Sequence, residues 1–169
     1  MRKVLAVIMM VFGLTGFSIA FAQDDITKHP ACPYCGMDRA KFAHSRMLYT
    51  YENGTEIGFC SIHCAALDLA LMLDKVPTFY GVSDYNTKKL IDAEKAVWVI
   101  GGDQMGVMTK RAKWAFESKS DAEQFIGAHG GQLATFEEAM EATYADMYKD
   151  TLMIREKRKM MREKMNKKQ

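Results

Sequence analysis

Apolar and polar positions alternate in short blocks through the first half of the chain. Arg46–Tyr51 and Glu56–Cys60 read as strands on either side of Glu52-Asn53-Gly54-Thr55, a hairpin signal with glycine at the turn. Ile62–Leu73 then shifts to helical spacing and stops at Asp74 and Lys75 before Pro77, and Thr78–Val82 returns to strand character. The pattern repeats further on. Ala96–Ile100 and Lys113–Phe116 read as strands joined by the long loop Gly101–Ala112. Ser120 is placed to cap a helix over Asp121–His129, with Glu123 completing a capping box. Gly130 and Gly131 end that helix, and Gln132–Phe136 reads as a short strand. The order is strand, strand, helix, strand, twice over, and the predicted class is α+β. The expected division is a Cys-rich unit over 23–92, a second unit over 93–139 and a helical tail over 140–169.

The ends of the chain differ from the body. Arg2 and Lys3 precede an apolar run from Val4 to Ala20, and Ala20-Phe21-Ala22 forms a small-x-small cleavage site before Gln23. Residues 1–22 are therefore expected to be a cleaved export signal, which places the mature chain in an oxidising compartment. No cysteine follows the apolar run, so a lipoprotein anchor is not expected. At the other end, about Glu138 to Gln169 lacks Gly and Pro and is rich in Ala, Met, Glu, Lys and Arg, the composition of a helix. Its apolar positions can dock on the body as far as Ile154. Beyond that residue the segment is mostly charge and is expected to be solvated.

Of the 169 residues, 49% are hydrophobic, with nine Phe, seven Tyr and two Trp, enough for one folded domain or two very small ones sharing a core. The formal net charge of +2 conceals an asymmetry. Residues 23–148 carry 12 Lys and Arg against 18 Asp and Glu, a net of −6. Residues 149–169 carry nine against three, a net of +6. The basic tail on an acidic body reads either as a solvated end with no partner or as a contact for an acidic partner protein or a membrane surface. Nucleic acid is not an expected partner of an exported chain.

The 14 Met and four Cys bring metal chemistry forward, because thioethers and thiols are the soft ligands among side chains. Cys32-Pro33-Tyr34-Cys35-Gly36-Met37 is a Cys-x-x-Cys turn, and Cys60 and Cys64 are four apart across a strand-to-helix junction with Ser61 as the N-cap candidate. Both pairs have ligand spacing, and the arrangement is that of a treble-clef knuckle. Three other fates compete for these thiols: disulfides, thiol–disulfide exchange at Cys32 and Cys35, and a structural Cys₄ zinc site in an interaction domain. Methionine separates copper from Zn(II), since Cu(I) accepts thioethers that zinc seldom takes. Met37 stands beyond the tight Gly36, and Met105 and Met108 stand in a polar, Gly-rich loop where packing explains them less well. Met72 reads as core gap-filler. His29, His44 and His63 lie near the cysteines and read as surface residues before ligands, with His63 the best placed; His129 reads as an ordinary helix-end residue. No nucleophile–base ordering, Walker loop or dinucleotide fingerprint is present, so no enzyme is expected.

With these residues in view, the chain resembles the NosL-type proteins, copper-binding accessory proteins of nitrous oxide reductase. The resemblance runs from about Cys32 to Ala139 and rests on Cys35-Gly36-Met37, on the loop Met105–Met108 and on Lys113–Phe136. It implies a periplasmic Cu(I) chaperone of two strand-strand-helix-strand units, with Cys35 and Met37 as ligands and Met105 or Met108 as a distal one. It also implies delivery to a periplasmic cuproenzyme or its maturation machinery. Cys32, Cys60 and Cys64 exceed that minimal site, and their setting with Phe59 and Ser61 is similar to heavy-metal-binding TRASH-type domains.

Overall fold

The structure is a computed structural model that describes residues 24–167; the expected export signal lies outside them. A short helix α1 (Asp24–Lys28) is followed by strands β1 (Met47–Tyr51) and β2 (Glu56–Phe59), helix α2 (Ile62–Leu71), and strands β3 (Pro77–Ser83) and β4 (Leu90–Asp92). Then come β5 (Val97–Ile100), β6 (Lys113–Phe116), helix α3 (Lys119–His129), β7 (Gln132–Ala134) and the long helix α4 (Phe136–Asn166). Among the described residues no helix is long and apolar enough to cross a membrane.

The duplicated element order is matched by duplicated pairing. In the first sheet, ordered β2-β1-β3-β4, β1 lies between β2 and β3 and is antiparallel to both. In the second, ordered β6-β5-β7, β5 lies in the same way between β6 and β7. Each unit thus inserts its first strand between the second and third, which a helix connects. The predicted hairpin holds: Met47 faces Phe59, Thr50 faces Glu56, and Gly54 takes the positive φ of 77° that its turn requires. β1 is buried on both faces at Met47, Leu48, Tyr49 and Tyr51, as expected of a central strand.

The two sheets share one core, continuous from Met47 and Phe59 through Trp98 and Phe116 to Phe136 and Met140. They are stitched where β3 ends. Tyr85 N–H donates to the Ala115 carbonyl at 2.8 Å, and Asp84 accepts the Glu117 N–H at 2.9 Å. α4 lies on α2, with Tyr144 Oη donating to the Ala66 carbonyl at 3.0 Å.

Several expectations are corrected. The α3 cap is Ser118, not Ser120; its hydroxyl accepts the Asp121 N–H at 3.1 Å. The last strand stops at Ala134 because Thr135 caps α4, in a capping box whose other half is Glu138. Met72 is not core filler but the partly exposed C-cap of α2. Two elements had no sequence forecast, β4 and α1. The second is held from outside itself: the buried Asp25 carboxylate receives Arg39 at 2.7 Å and Arg46 at 2.9 and 3.0 Å. Arg39 also donates to the carbonyls of Asp25, His29, Met47 and Phe59, tying α1 to the ends of β1 and β2 beside Cys60.

Candidate metal centre

The Cys-x-x-Cys turn is a closed knuckle. Cys32 N–H donates to the Met37 carbonyl at 2.9 Å and Gly36 N–H to the Cys32 carbonyl at 2.8 Å, with Gly36 at a φ of 73° that favours glycine. Ala31 and Asp38 form an antiparallel bridge at its base. A turn follows Cys35 where a thiol–disulfide exchange motif opens a helix, so the local geometry is that of a ligand pair. Tyr34, inside the turn, donates from Oη to Asp68 of α2 at 2.6 Å and stacks on Phe59.

Cys60 follows the last residue of β2 and Cys64 sits in the first turn of α2, so the register of the hairpin sets one and the helix start sets the other. Ser61 is the N-cap by backbone conformation but makes no side-chain cap; its Oγ lies 3.8 Å from the Cys60 sulfur instead. Ser45 Oγ holds the Cys60 carbonyl at 2.8 Å.

Together these elements bring all four sulfurs within 4.8 Å of one another. Cys35 and Cys60 are 3.4 Å apart and Cys60 and Cys64 3.7 Å, and all four cysteines are free. Four thiolates around one ion at a metal–sulfur distance near 2.3 Å would be separated by about 3.8 Å, so the cage has the size a soft metal ion needs. Cys32, Cys60 and Cys64 are buried, whereas Cys35 is half-buried and marks the open side.

Proton affinities within the cluster are split. Hydrogen bonds from the Cys35, Cys60 and Cys64 thiols hold Cys32 far below its ordinary value. At Cys35 the neighbouring Cys32 pushes upward, but the Cys60 and Cys64 thiols outweigh it and the net direction is down. Cys60 is pushed up by Cys32 and Cys35, and Cys64 by all three of its neighbours. An entering metal ion would displace the protons that the cluster still holds.

The methionines are placed differently from one another. Met37, half-buried, supplies the carbonyl that closes the knuckle and packs against the core. Met108 is also half-buried against the core and adopts a left-handed φ of 63°, which is uncommon outside glycine. Met105 is 75% exposed. Their loop is tied down on two sides. His129 Nδ1 meets Asp103 at 3.0 Å and Gln104 at 3.1 Å, so His129 is a loop anchor and not an ordinary helix end. Asp150 of α4 accepts the Lys110 N–H at 3.2 Å.

His63 is not a surface residue. It is buried beside the cluster, and burial pushes its pKa down, with Asp150 pulling the other way, so the ring is neutral. Its Nδ1 faces the second oxygen of Asp150 at 3.9 Å, and neither atom has a hydrogen-bond partner. His44 is also enclosed, between Tyr85 and Trp114. No residue pattern signalled Asp68 or Asp150 at the site, nor Arg158, whose guanidinium reaches the Cys35 carbonyl at 3.1 Å from the distal part of α4. Asp68 lies on α2 four residues past Cys64 but serves the site through Tyr34, 34 residues back, whereas Asp150 and Arg158 come from the remote helix α4, and only the basic character of the tail hinted at Arg158.

Against known proteins, the family model described as NosL matches residues 23–144. The chain is similar to the crystal structure of the copper chaperone NosL from Shewanella denitrificans, at 29% identity over 64% of this chain and 87% of that one, with a TM-score of 0.51. No curated protein matches it. The matched span takes in the whole cysteine cluster and both duplicated units, well over half of the sequence: the chain belongs to the NosL family.

Proposed function

We propose that this protein is an exported, periplasmic copper-handling protein that holds Cu(I) at Cys32, Cys35, Cys60 and Cys64 with help from methionine, and passes it to a cuproenzyme or to that enzyme's maturation machinery, nitrous oxide reductase being the client the family resemblance names. The observation that carries the reading is the convergence of four sulfurs, three of them buried, in a NosL-family chain. Soft thiolates match Cu(I), and the half-buried Cys35 gives the ion a way in and out. Transfer proceeds by ligand exchange: copper stays Cu(I), and a copper–sulfur bond to this chain breaks as one to the acceptor forms. Met37 lies next to the knuckle, and Met108 accepts an unfavourable backbone conformation in the loop that the resemblance marks as the distal ligand. The acidic body and basic tail would orient docking on the partner, with membrane-surface contact a second use of the same charge.

A second reading has its own observation. Four cysteine sulfurs within 4.8 Å of one another also suit a structural Zn(II) site in an interaction domain. The test is a competition. Reduced mature protein is offered Cu(I) and Zn(II) together without air, and bound metal is measured against a calibrated Cu(I) chelator. Copper retained over zinc, with affinity that falls when Met37, Met105 and Met108 are replaced by Leu, is the expected result. Zinc retained over copper and indifferent to those changes would overturn it.

A further inference from the structure

We propose that Arg158, where the basic distal part of α4 leaves the body, straps that helix to the open rim of the cysteine cluster as a positioning residue and is lifted by an acidic protein surface. This rests on the Cu(I) reading above and adds what controls release.

The body-facing stripe of α4 runs through Met140, Thr143, Met147, Asp150 and Ile154 at spacings of three and four, each buried or half-buried. Arg158 is the next residue of that stripe. It is where the helix leaves the body, and its Nη2 donates to the carbonyl of Cys35 at 3.1 Å. That contact spans 123 residues of chain and falls on the one cysteine that is not fully buried. The last turns of α4 then project free of the body, with Met161 and Met165 exposed among Arg162, Lys164 and Lys167.

Charge gives the contact a purpose. Cu(I) bound by two or more thiolates is a net anion, and a guanidinium beside Cys35 offsets that charge where the site opens to solvent. The nine basic residues of 149–169 are also what an acidic partner would attract. A partner that binds them competes for Arg158 and loosens the strap at the moment of docking. Retention and release are thereby set by the same cation.

The experiment uses the full mature chain loaded with Cu(I) and follows the rate of copper loss to a chromophoric Cu(I) chelator. Arg158→Gln is expected to release copper about three- to fivefold faster at low salt, the size of a partly screened ionic contact, with the difference shrinking as salt is raised. Arg158→Lys should keep most of the slow rate, which a merely structural arginine would not predict. Polyglutamate, as an acidic peptide probe, should accelerate release from the parent protein and leave Arg158→Gln unchanged. Equal rates for parent and Arg158→Gln, or equal acceleration of both by polyglutamate, would overturn the strap while leaving copper binding intact. Anionic phospholipid vesicles that accelerate release where polyglutamate does not would overturn the protein partner. A parent protein that binds no Cu(I) would overturn the strap and the copper reading together.

Discussion

Tyr34, in the middle of the Cys-x-x-Cys turn, donates its hydroxyl to Asp68 on the second turn of α2. Asp68 is buried and also accepts the hydroxyl of Tyr51 from β1, so one carboxylate ties the knuckle and the central strand to the helix that carries Cys64. Both tyrosines have their pKa pushed up, first by burial and then by Asp68, and they stay protonated donors. Asp68→Ala removes the acceptor for two enclosed hydroxyls and is expected to cost about 1–3 kcal/mol of stability by thermal or urea unfolding. Tyr34→Phe breaks only the knuckle's share. It should leave stability within about 1 kcal/mol while measurably weakening metal binding in a competition titration, because Cys32 and Cys35 lose their link to Cys64. A Tyr34→Phe protein with unchanged metal affinity would show that the backbone bonds at Cys32 and Gly36 hold the turn by themselves.

What the sequence made legible was local. The hairpin around Gly54, the start of α2 after Cys60, the Lys113–Phe116 strand and the twofold element order all follow from residues within a few positions of one another. The cysteine cluster was legible because both pairs carry ligand spacing on recognisable turns. What stayed hidden depends on contacts between distant segments. α1 is five residues long and exists because Asp25 reaches two arginines, 14 and 21 residues on. Ser118 and Ser120 are both suitable caps, and the choice between them is made where Asp84 fastens the Glu117 N–H just before the helix. The shortened last strand was recoverable: Thr135 and Glu138 form a capping box in the sequence itself.

Asp25 sets an acid limit on the fold. Burial pushes its pKa up, but Arg46 and Arg39 outweigh burial and the net direction is down. A carboxylate whose folded pKa lies below its unfolded one contributes stability that is complete above the unfolded value near 3.8 and is lost as pH falls through the lower folded value. Unfolding free energy should therefore drop on acidification below about pH 4. Asp25→Ala removes the carboxylate that meets two fully buried guanidinium groups and should cost about 3–5 kcal/mol near neutral pH, with a correspondingly flatter acid limb in urea titrations.

Gly58 offers a test with no charge involved. A Cβ at this position of β2 would come within 2.5 Å of Arg39 Cζ and Nη1 and 2.8 Å of His29 Cβ. Arg39 cannot yield, because it is fully buried and held by Asp25 and four backbone carbonyls. Gly58→Ala is expected to lose about 1–3 kcal/mol in urea unfolding, and the strain falls two residues before Cys60. Unfolding indistinguishable from the parent would mean that Arg39 can repack, contrary to its set of bonds.

The two loop methionines should separate under the same substitution. Met108 is half-buried against the core in a loop that Asp150 pins through the Lys110 N–H, and Asp150 in turn faces His63 beside Cys64. Met105 lies in the same loop but is 75% exposed. Leu matches Met closely in volume, so Met108→Leu should hold stability within about 1.5 kcal/mol. Any fall in Cu(I) affinity beyond that reports a lost thioether ligand, about tenfold or more if Met108 is the distal ligand. Met105→Leu should change affinity less, because its side chain stands in solvent. Asp150→Ala provides the geometric control: it leaves Met108 in place but unties its loop, and should lower Cu(I) affinity in the same direction as Met108→Leu. If Asp150→Ala weakens binding and Met108→Leu does not, the loop serves the site by shape, and the four cysteines hold the metal without it.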